Sequence, residues 1–195
     1  MKKRMLITGF DPFGGSEVNP SQLVVEQLPD QVGCFQLCKL ILPTVFGQAS
    51  RLVLETAEDF RPDVILCIGV AEGRDAVTPE RIAVNIRDAR IPDNAGNQPI
   101  GEFVVPGGDA AYFATIPVEK MVQAIRDAQI PASVSNTAGT FVCNDVFYTV
   151  ANRYHRSETQ VGFVHVPALP GCGKPSLPLK KILEAITAAI LACKK

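Results

Sequence analysis

Three side chains in this sequence have the types needed for a nucleophilic relay. They are Cys143 in "NTAGTFVCND", His165 in "GFVHVPALPG" and Glu80 in "PERIAVN". In such a relay a thiol loses its proton to an imidazole and attacks, while a carboxylate orients the ring. Cys143 stands two residues into an apolar helical pattern that follows a loop of small residues. The first turn of a helix offers unpaired N–H groups and the positive end of the dipole. Both favour a thiolate, and the same N–H groups could hold an oxyanion. The competing reading is a packed thiol, because cysteine is among the most buried residue types. His165 ends an otherwise apolar strand, where a lone histidine is more often a satisfied core residue than a base. Glu80 sits at the end of an alternating apolar stretch and would need a partner if buried; a surface ion pair with Arg81 is the bland alternative. His155, in the charged stretch "NRYHRSE", suits an exposed helix terminus. Residue types alone decide none of these.

The elements that must position these groups alternate along the chain. "MLITGF", "FQLCKLIL", "DVILCIG" and "VGFVHVPA" are apolar runs of strand length, and the third has the composition of a strand buried on both faces. "ERIAVNIRD" alternates and reads as a further strand, with Glu80 on the face of Ile82, Val84 and Ile86, and "ASVSN" reads as another. Helical stripes cover "PSQLVVEQL", "FGQASRLVLETAEDF", "PVEKMVQAIRDA", "FVCNDVFYTVANRYH" and "LPLKKILEAITAAILA". Asn19 is placed to cap the first of these, with Pro20 at its first helical position. Residues 89–117 are rich in Gly and Pro and read as long loops with one short strand. This alternation predicts an α/β fold: a single three-layer domain over residues 1–195, with a largely parallel central sheet flanked by helices. Sites in such folds gather at the carboxyl ends of strands, which nominates the loops after Phe10, Gly69 and His165 and the strand ends near Asn85 and Asn136.

Bulk properties exclude several functions. The 195 residues are 47% hydrophobic and 20% charged, with a net charge of -1, so nothing marks a nucleic-acid partner. The apolar run within "MKKRMLITGF" is too short for a signal peptide or a membrane span, which predicts a cytoplasmic protein without membrane partners. The six cysteines are expected as free thiols, and their spacing does not suit structural zinc. "GFDPFGG" lacks the spacing of a phosphate cradle. Its two aromatics, Phe10 and Phe13, flank a Pro turn and could sandwich a flat neutral ring, although either alone also suits ordinary packing.

Taken together and in order, "GFDPFGG" with "NPS", "ERIAVN" with "DARIPDN", "SNTAGTFVCN" and "GFVHVP" resemble the pyroglutamyl-peptidase I, or pyrrolidone-carboxylate peptidase, family, from near residue 5 to near residue 170. The resemblance implies a cysteine exopeptidase that removes an N-terminal pyroglutamyl residue from peptides through a thioester. By motif match, Cys143 would be the nucleophile, His165 the general base and Glu80 the orienting acid. Arg90 matches an arginine close to the catalytic centre. The ring pocket would map onto Phe10, Phe13, Asn19, Thr44, Ile91, Phe141 and Val142. The resemblance also implies no metal or organic cofactor and a homotetramer. Val70 stands where some relatives have Gln, and "GCGKPSLP" lies outside the match, so Cys172 carries no assigned role. A nucleoside phosphorylase on a similar layout would need a phosphate or ribose cradle, and a non-catalytic peptide-binding scaffold would need no reactive thiol.

Overall fold

Eight consecutive residues, Lys3–Phe10, form the first strand (β1), and their alternation sets the plan of the molecule. Met5 and Ile7 pack into one apolar cluster, and Leu6 and Phe10 into another on the opposite face. A strand that is apolar on both faces requires a layer on each side. The computed structural model describes residues 2–194. After β1 come α1 (Pro20–Gln27), β2 (Gln31–Val32), β3 (Phe35–Leu42), α2 (Gln48–Phe60), β4 (Val64–Val70), β5 (Thr78–Pro79), β6 (Ile82–Val84), β7 (Ala111–Phe113), α3 (Val118–Asp127), α4 (Val142–Tyr154), β8 (Gln160–Val166) and α5 (Leu179–Ala192). The main sheet has the order β2-β3-β1-β4-β8-β5. The inner pairings β3–β1, β1–β4 and β4–β8 are parallel, and only the short edge strands β2 and β5 run antiparallel. This is the expected α/β architecture with a largely parallel sheet.

The two clusters assign the helices. Val24 of α1, Met121 of α3 and Ile182 of α5 share a cluster with Val64, Leu66 and Ile68 of β4. Val53 of α2 and Val146 of α4 share the other with Ile65 and Cys67. Along β8, Val161 and Phe163 face α2 and α4, whereas Val164 and Val166 face the opposite layer. His165 therefore points to the α4 side. Asn19 caps α1 as expected: its side chain accepts from the Ser21 N–H at 3.0 Å, and Pro20 opens the helix. Arg61, in the left-handed region at φ 49°, closes α2, and Pro62 follows. Among the described residues, no helix is long and apolar enough to cross a membrane.

Two expectations are corrected. "ERIAVNIRD" is not one strand. Thr78–Pro79 joins the edge of the main sheet beside β8, and Ile82–Val84 leaves it to pair with β7 in a separate two-stranded sheet. Glu80 lies between them, with its N–H donating to the Phe163 carbonyl at 2.8 Å while the next N–H, from Arg81, turns to Ser135. The alternation of Ile82 and Val84 thus reports a different sheet from the one that holds Glu80. "ASVSN" is not a strand either. After Pro131 the chain makes only isolated bridges, Ala132 to Val77 and Ser135 to Glu80, because the segment meets β5 where that strand is only two residues long.

Candidate functional site

The thiol is placed by its two sequence neighbours. Asn144 is fully buried and treats β6 as a strand would. Its Oδ1 accepts from the Val84 N–H at 3.0 Å, and its Nδ2 donates to the carbonyls of Val84 at 2.8 Å and Ile86 at 3.0 Å. Asp145, also buried, receives Arg87 Nε at 2.6 Å and the Gly47 N–H at 3.0 Å. These contacts lock the first turn of α4, so Cys143 is held on rigid backbone. The N-cap residue is Phe141, and no side chain caps that turn, so its N–H groups have no side-chain partner; Phe141 and Cys143 line the cavity beside it. Space for the sulfur comes from Gly69 on β4. A methyl group there would lie 2.8 Å from Cys143 Sγ and 2.9 Å from Phe163 Cζ.

Gly69 is also the register partner of His165, so β4 and β8 bring sulfur and imidazole to one place. Both line a single cavity of about 550 Å³ at the carboxyl ends of the strands. Behind His165, its Nδ1 lies 2.8 Å from Glu80 Oε1, and Glu80 is fully buried. An imidazole whose Nδ1–H is held by a carboxylate presents its other nitrogen as an acceptor. His165 and Glu80 are 85 positions apart in the chain. The bland reading of Glu80 does not hold: Arg81 pairs instead with Glu119 at 3.1 Å and Asn136 at 2.7 Å.

Burial governs the protonation of the three groups. It pushes the Cys143 thiol up to about 12, with the Glu80 charge and the Cys67 thiol adding to the effect; Arg74 and the helix backbone oppose it. Burial also holds His165 below its ordinary value against the pull of Glu80, and Arg74 lowers it further. For Glu80, burial acts upward but is outweighed by the hydrogen bond and charge of His165, joined by the Arg74 hydrogen bond, and the net shift is downward. The helix N-terminus led to the expectation of a thiolate. In the folded protein desolvation opposes that effect and pulls both the thiol and the imidazole toward their neutral forms.

Of the remaining predicted residues, Phe13, Ile91, Phe141 and Arg90 line the cavity. The rings of Phe13 and Phe141 are 5.8 Å apart, and Phe46 supports Phe141 edge-on at 5.3 Å. Phe10, Asn19, Thr44 and Val142 are all buried and do not line it. Phe10 packs on Phe163 in the core at 6.3 Å. Asn19 and Thr44 act one step back: Asn19 Nδ2 and Thr44 Oγ1 donate to the Asp11 carbonyl, while Asp11 Oδ1 accepts from the Thr44 N–H at 2.7 Å. They thereby set the loop that carries Phe13. Val142 faces the core because it stands one residue, about 100°, from Cys143 on α4. His155 ends α4, exposed, about 18 Å along the helix from Cys143.

Sequence reasoning missed Arg74. Its Nη1 lies 2.6 Å from Glu80 Oε1 and 2.6 Å from Thr78 Oγ1, and its Nη2 donates to the Thr137 carbonyl at 2.9 Å. Its side chain also lines the cavity. An arginine in the loop stretch "VAEGRDA" carries no motif of its own; only a search for a cation to match a buried Glu80 would have singled it out.

Fold and site together define a class: an α/β protein with a thiol at a helix N-terminus and a histidine–carboxylate pair at the carboxyl edge of a parallel sheet. The sequence profile of the family described as pyroglutamyl peptidase matches residues 3–195. The chain is 47% identical over 196 residues to the pyrrolidone-carboxylate peptidase of Levilactobacillus brevis, covering 97% of this chain and 96% of that one. It superposes on the crystal structure of Bacillus amyloliquefaciens pyroglutamyl peptidase I with a TM-score of 0.95 at 42% identity, over 98% and 97% of the two chains. A variant pyrrolidone carboxyl peptidase from Pyrococcus furiosus gives 0.92 at 37% identity, over 97% of each. The chain belongs to the pyroglutamyl peptidase family.

Proposed function

We propose that the protein is a cysteine exopeptidase that hydrolyses the amide bond after an N-terminal pyroglutamyl residue and releases free pyroglutamate. The carrying observation is the common cavity of Cys143 and His165, with Glu80 Oε1 2.8 Å behind the imidazole. In this reading His165 accepts the Cys143 proton as the sulfur attacks, and the imidazolium stabilises the thiolate. The new C–S bond converts the carbonyl to an oxyanion, which the N–H groups of the first turn of α4 stabilise with Arg90. The C–N bond breaks, the leaving amine takes the proton from His165, and a thioester remains. Water, deprotonated by the same imidazole, then cleaves the thioester and restores the thiol. Glu80 stays ionised throughout and orients the ring.

Pyroglutamate is an uncharged lactam, so its site needs apolar walls rather than an anion for a free amine. Phe13, Ile91 and Phe141 provide them, and burying the ring there contributes about 1.5–3 kcal/mol. The cavity greatly exceeds one lactam ring and leaves room for the following residues of a peptide. N-terminal proline offers the same ring without the carbonyl, and a site that hydrogen-bonds that oxygen rejects it by roughly 10⁴-fold.

The reading extends to one catalytic domain over residues 1–195, a cytoplasmic location and a homotetramer. The exposed side chains of Ile100, Phe103 and Phe113 suit burial between subunits. The deciding experiment is release of a fluorescent amine from a pyroglutamyl amide under reducing conditions. Wild type turns over, Cys143→Ser does not, and the prolyl amide is cleaved very poorly. Equal rates for wild type and Cys143→Ser would overturn the assignment.

A further inference from the structure

We propose that Arg74 is a positioning residue for the Glu80–His165 pair, which fixes the carboxylate in place and balances its charge. The inference rests on the reading of His165 as the base. Glu80 is fully buried, yet both of its donors, His165 Nδ1 and Arg74 Nη1, converge on Oε1, and Oε2 has no partner. A buried carboxylate needs a compensating positive charge. With Arg74 present, that charge is permanent, because a guanidinium does not titrate in this range. Without it, the nearest way to neutralise Glu80 is a proton on His165, and a protonated imidazole cannot accept the thiol proton.

The other groups facing this centre do not replace Arg74. Cys143 and Cys67 carry no positive charge in either protonation state, and burial pushes both thiols up to about 12. Glu72, Asp88 and Arg90 line the same cavity, and all three are exposed to solvent, which screens them. Thr78 and Ser135 bring hydroxyls without charge. The same guanidinium also joins three segments. It starts from the loop after β4, binds Thr78 and Glu80 at the sheet edge, and holds the Thr137 carbonyl in the loop that leads to Cys143. One side chain thus ties the acid-bearing segment to the nucleophile-bearing one.

The test separates charge from mere stapling. A neighbouring charge at this range moves a pKa by about 1–3 units, downward for His165 because Arg74 and the imidazolium carry the same sign, and partial exposure of Arg74, at 28%, places the effect near one unit. Arg74→Met is expected to move the acid limb of kcat/KM upward by about one pH unit. The imidazole NMR titration of His165 moves by the same amount; the chain has only two histidines, so the signal is readily assigned with His155→Gln. Arg74→Lys keeps the charge but not the fork, so it holds the limb near the wild-type position while lowering kcat. Arg74→Gln retains a donor without the charge and repeats the Met result if that variant folds poorly. Folded Met or Gln variants with the wild-type midpoint in both measurements overturn the proposal. A His165 titration that moves while the kinetic limb stays upholds the role of Arg74 and overturns His165 as the base.

Discussion

Gly69→Ala offers a sharp test of how β4 makes room for the sulfur. The added methyl carbon would lie 2.8 Å from Cys143 Sγ, 2.9 Å from Phe163 Cζ and 3.0 Å from Phe163 Cε1. Ordinary contact needs about 3.5–4.0 Å, so the sulfur or the ring must move by about 1 Å. Phe163 is fully buried and packed against Phe10 and Phe147 at 6.3 and 6.0 Å. The thiol borders the cavity and has space to give, so it is the group that moves. A 1 Å displacement of a reacting atom costs about 10²-fold in rate. Overpacking costs about 1–3 kcal/mol of stability besides. The matched control is Gly162→Ala on β8. Its methyl would clash with the Ile116 side chain on the opposite face of the sheet, away from the cavity. Both variants are expected to lower Tm, but only Gly69→Ala lowers kcat on the pyroglutamyl amide per folded molecule. A Gly69→Ala enzyme with wild-type kcat, or equal losses of kcat in the two variants, would refute the reasoning.

Other outcomes follow from the same contacts. Glu80→Gln, which keeps the shape but removes the charge that orients His165, lowers kcat by about 10²-fold or more while leaving activity above that of Cys143→Ser; a wild-type rate excludes the orienting role. Asn144→Ala strands the Val84 N–H and the Ile86 carbonyl, while the Val84 carbonyl keeps the Ile86 N–H, and urea unfolding should show a loss of about 3 kcal/mol, with reduced kcat because Cys143 is the adjacent residue. Acid should destabilise the fold in two stages. His165 has a folded value below its ordinary 6.5, so its contribution is full above that value and is lost as pH falls through the folded one. Glu80, also lowered, contributes above 4.5 and loses its contribution at lower pH still. The urea midpoint of wild type should therefore fall between pH 7 and 5, and His165→Gln should flatten that slope; an unchanged slope contradicts burial of a neutral imidazole. Iodoacetamide at neutral pH should label exposed Cys172 without loss of activity, whereas inactivation should track Cys143; mass mapping decides between them.

Local pattern carried much of the design. Apolar runs such as "DVILCIG" contain their own instruction to be buried on both faces, and β4 is so buried. Pro20 after Asn19 marks the start of α1, and the helical stripe of "FVCNDVFYTVANRYH" puts Cys143 in the first turn of α4, since caps and periodicity depend on residues a few positions apart. The chemistry-bearing types and the family resemblance were likewise legible in single segments. Phe13, Ile91 and Phe141 were nominated by their motifs and line the cavity, whereas Phe10, Asn19, Thr44 and Val142 came from equally good motifs and stand behind it. Motif membership records that a residue matters to a region, not which way its side chain points.

What the chain determined by itself is the set of local choices: strands apolar on both faces, helices with their caps, and a thiol at a helix start. Only tertiary structure decided that Glu80 leaves the main sheet's edge to meet His165 from 85 residues away, that Arg74 shares its oxygen, and that Gly69 clears space for a sulfur on another element. It also decided the charges. Propensity and periodicity act between neighbours in sequence, but burial and ion pairing act between neighbours in space. The desolvation that raises the Cys143 thiol and lowers His165 exists only after the sheet and α4 have closed around them.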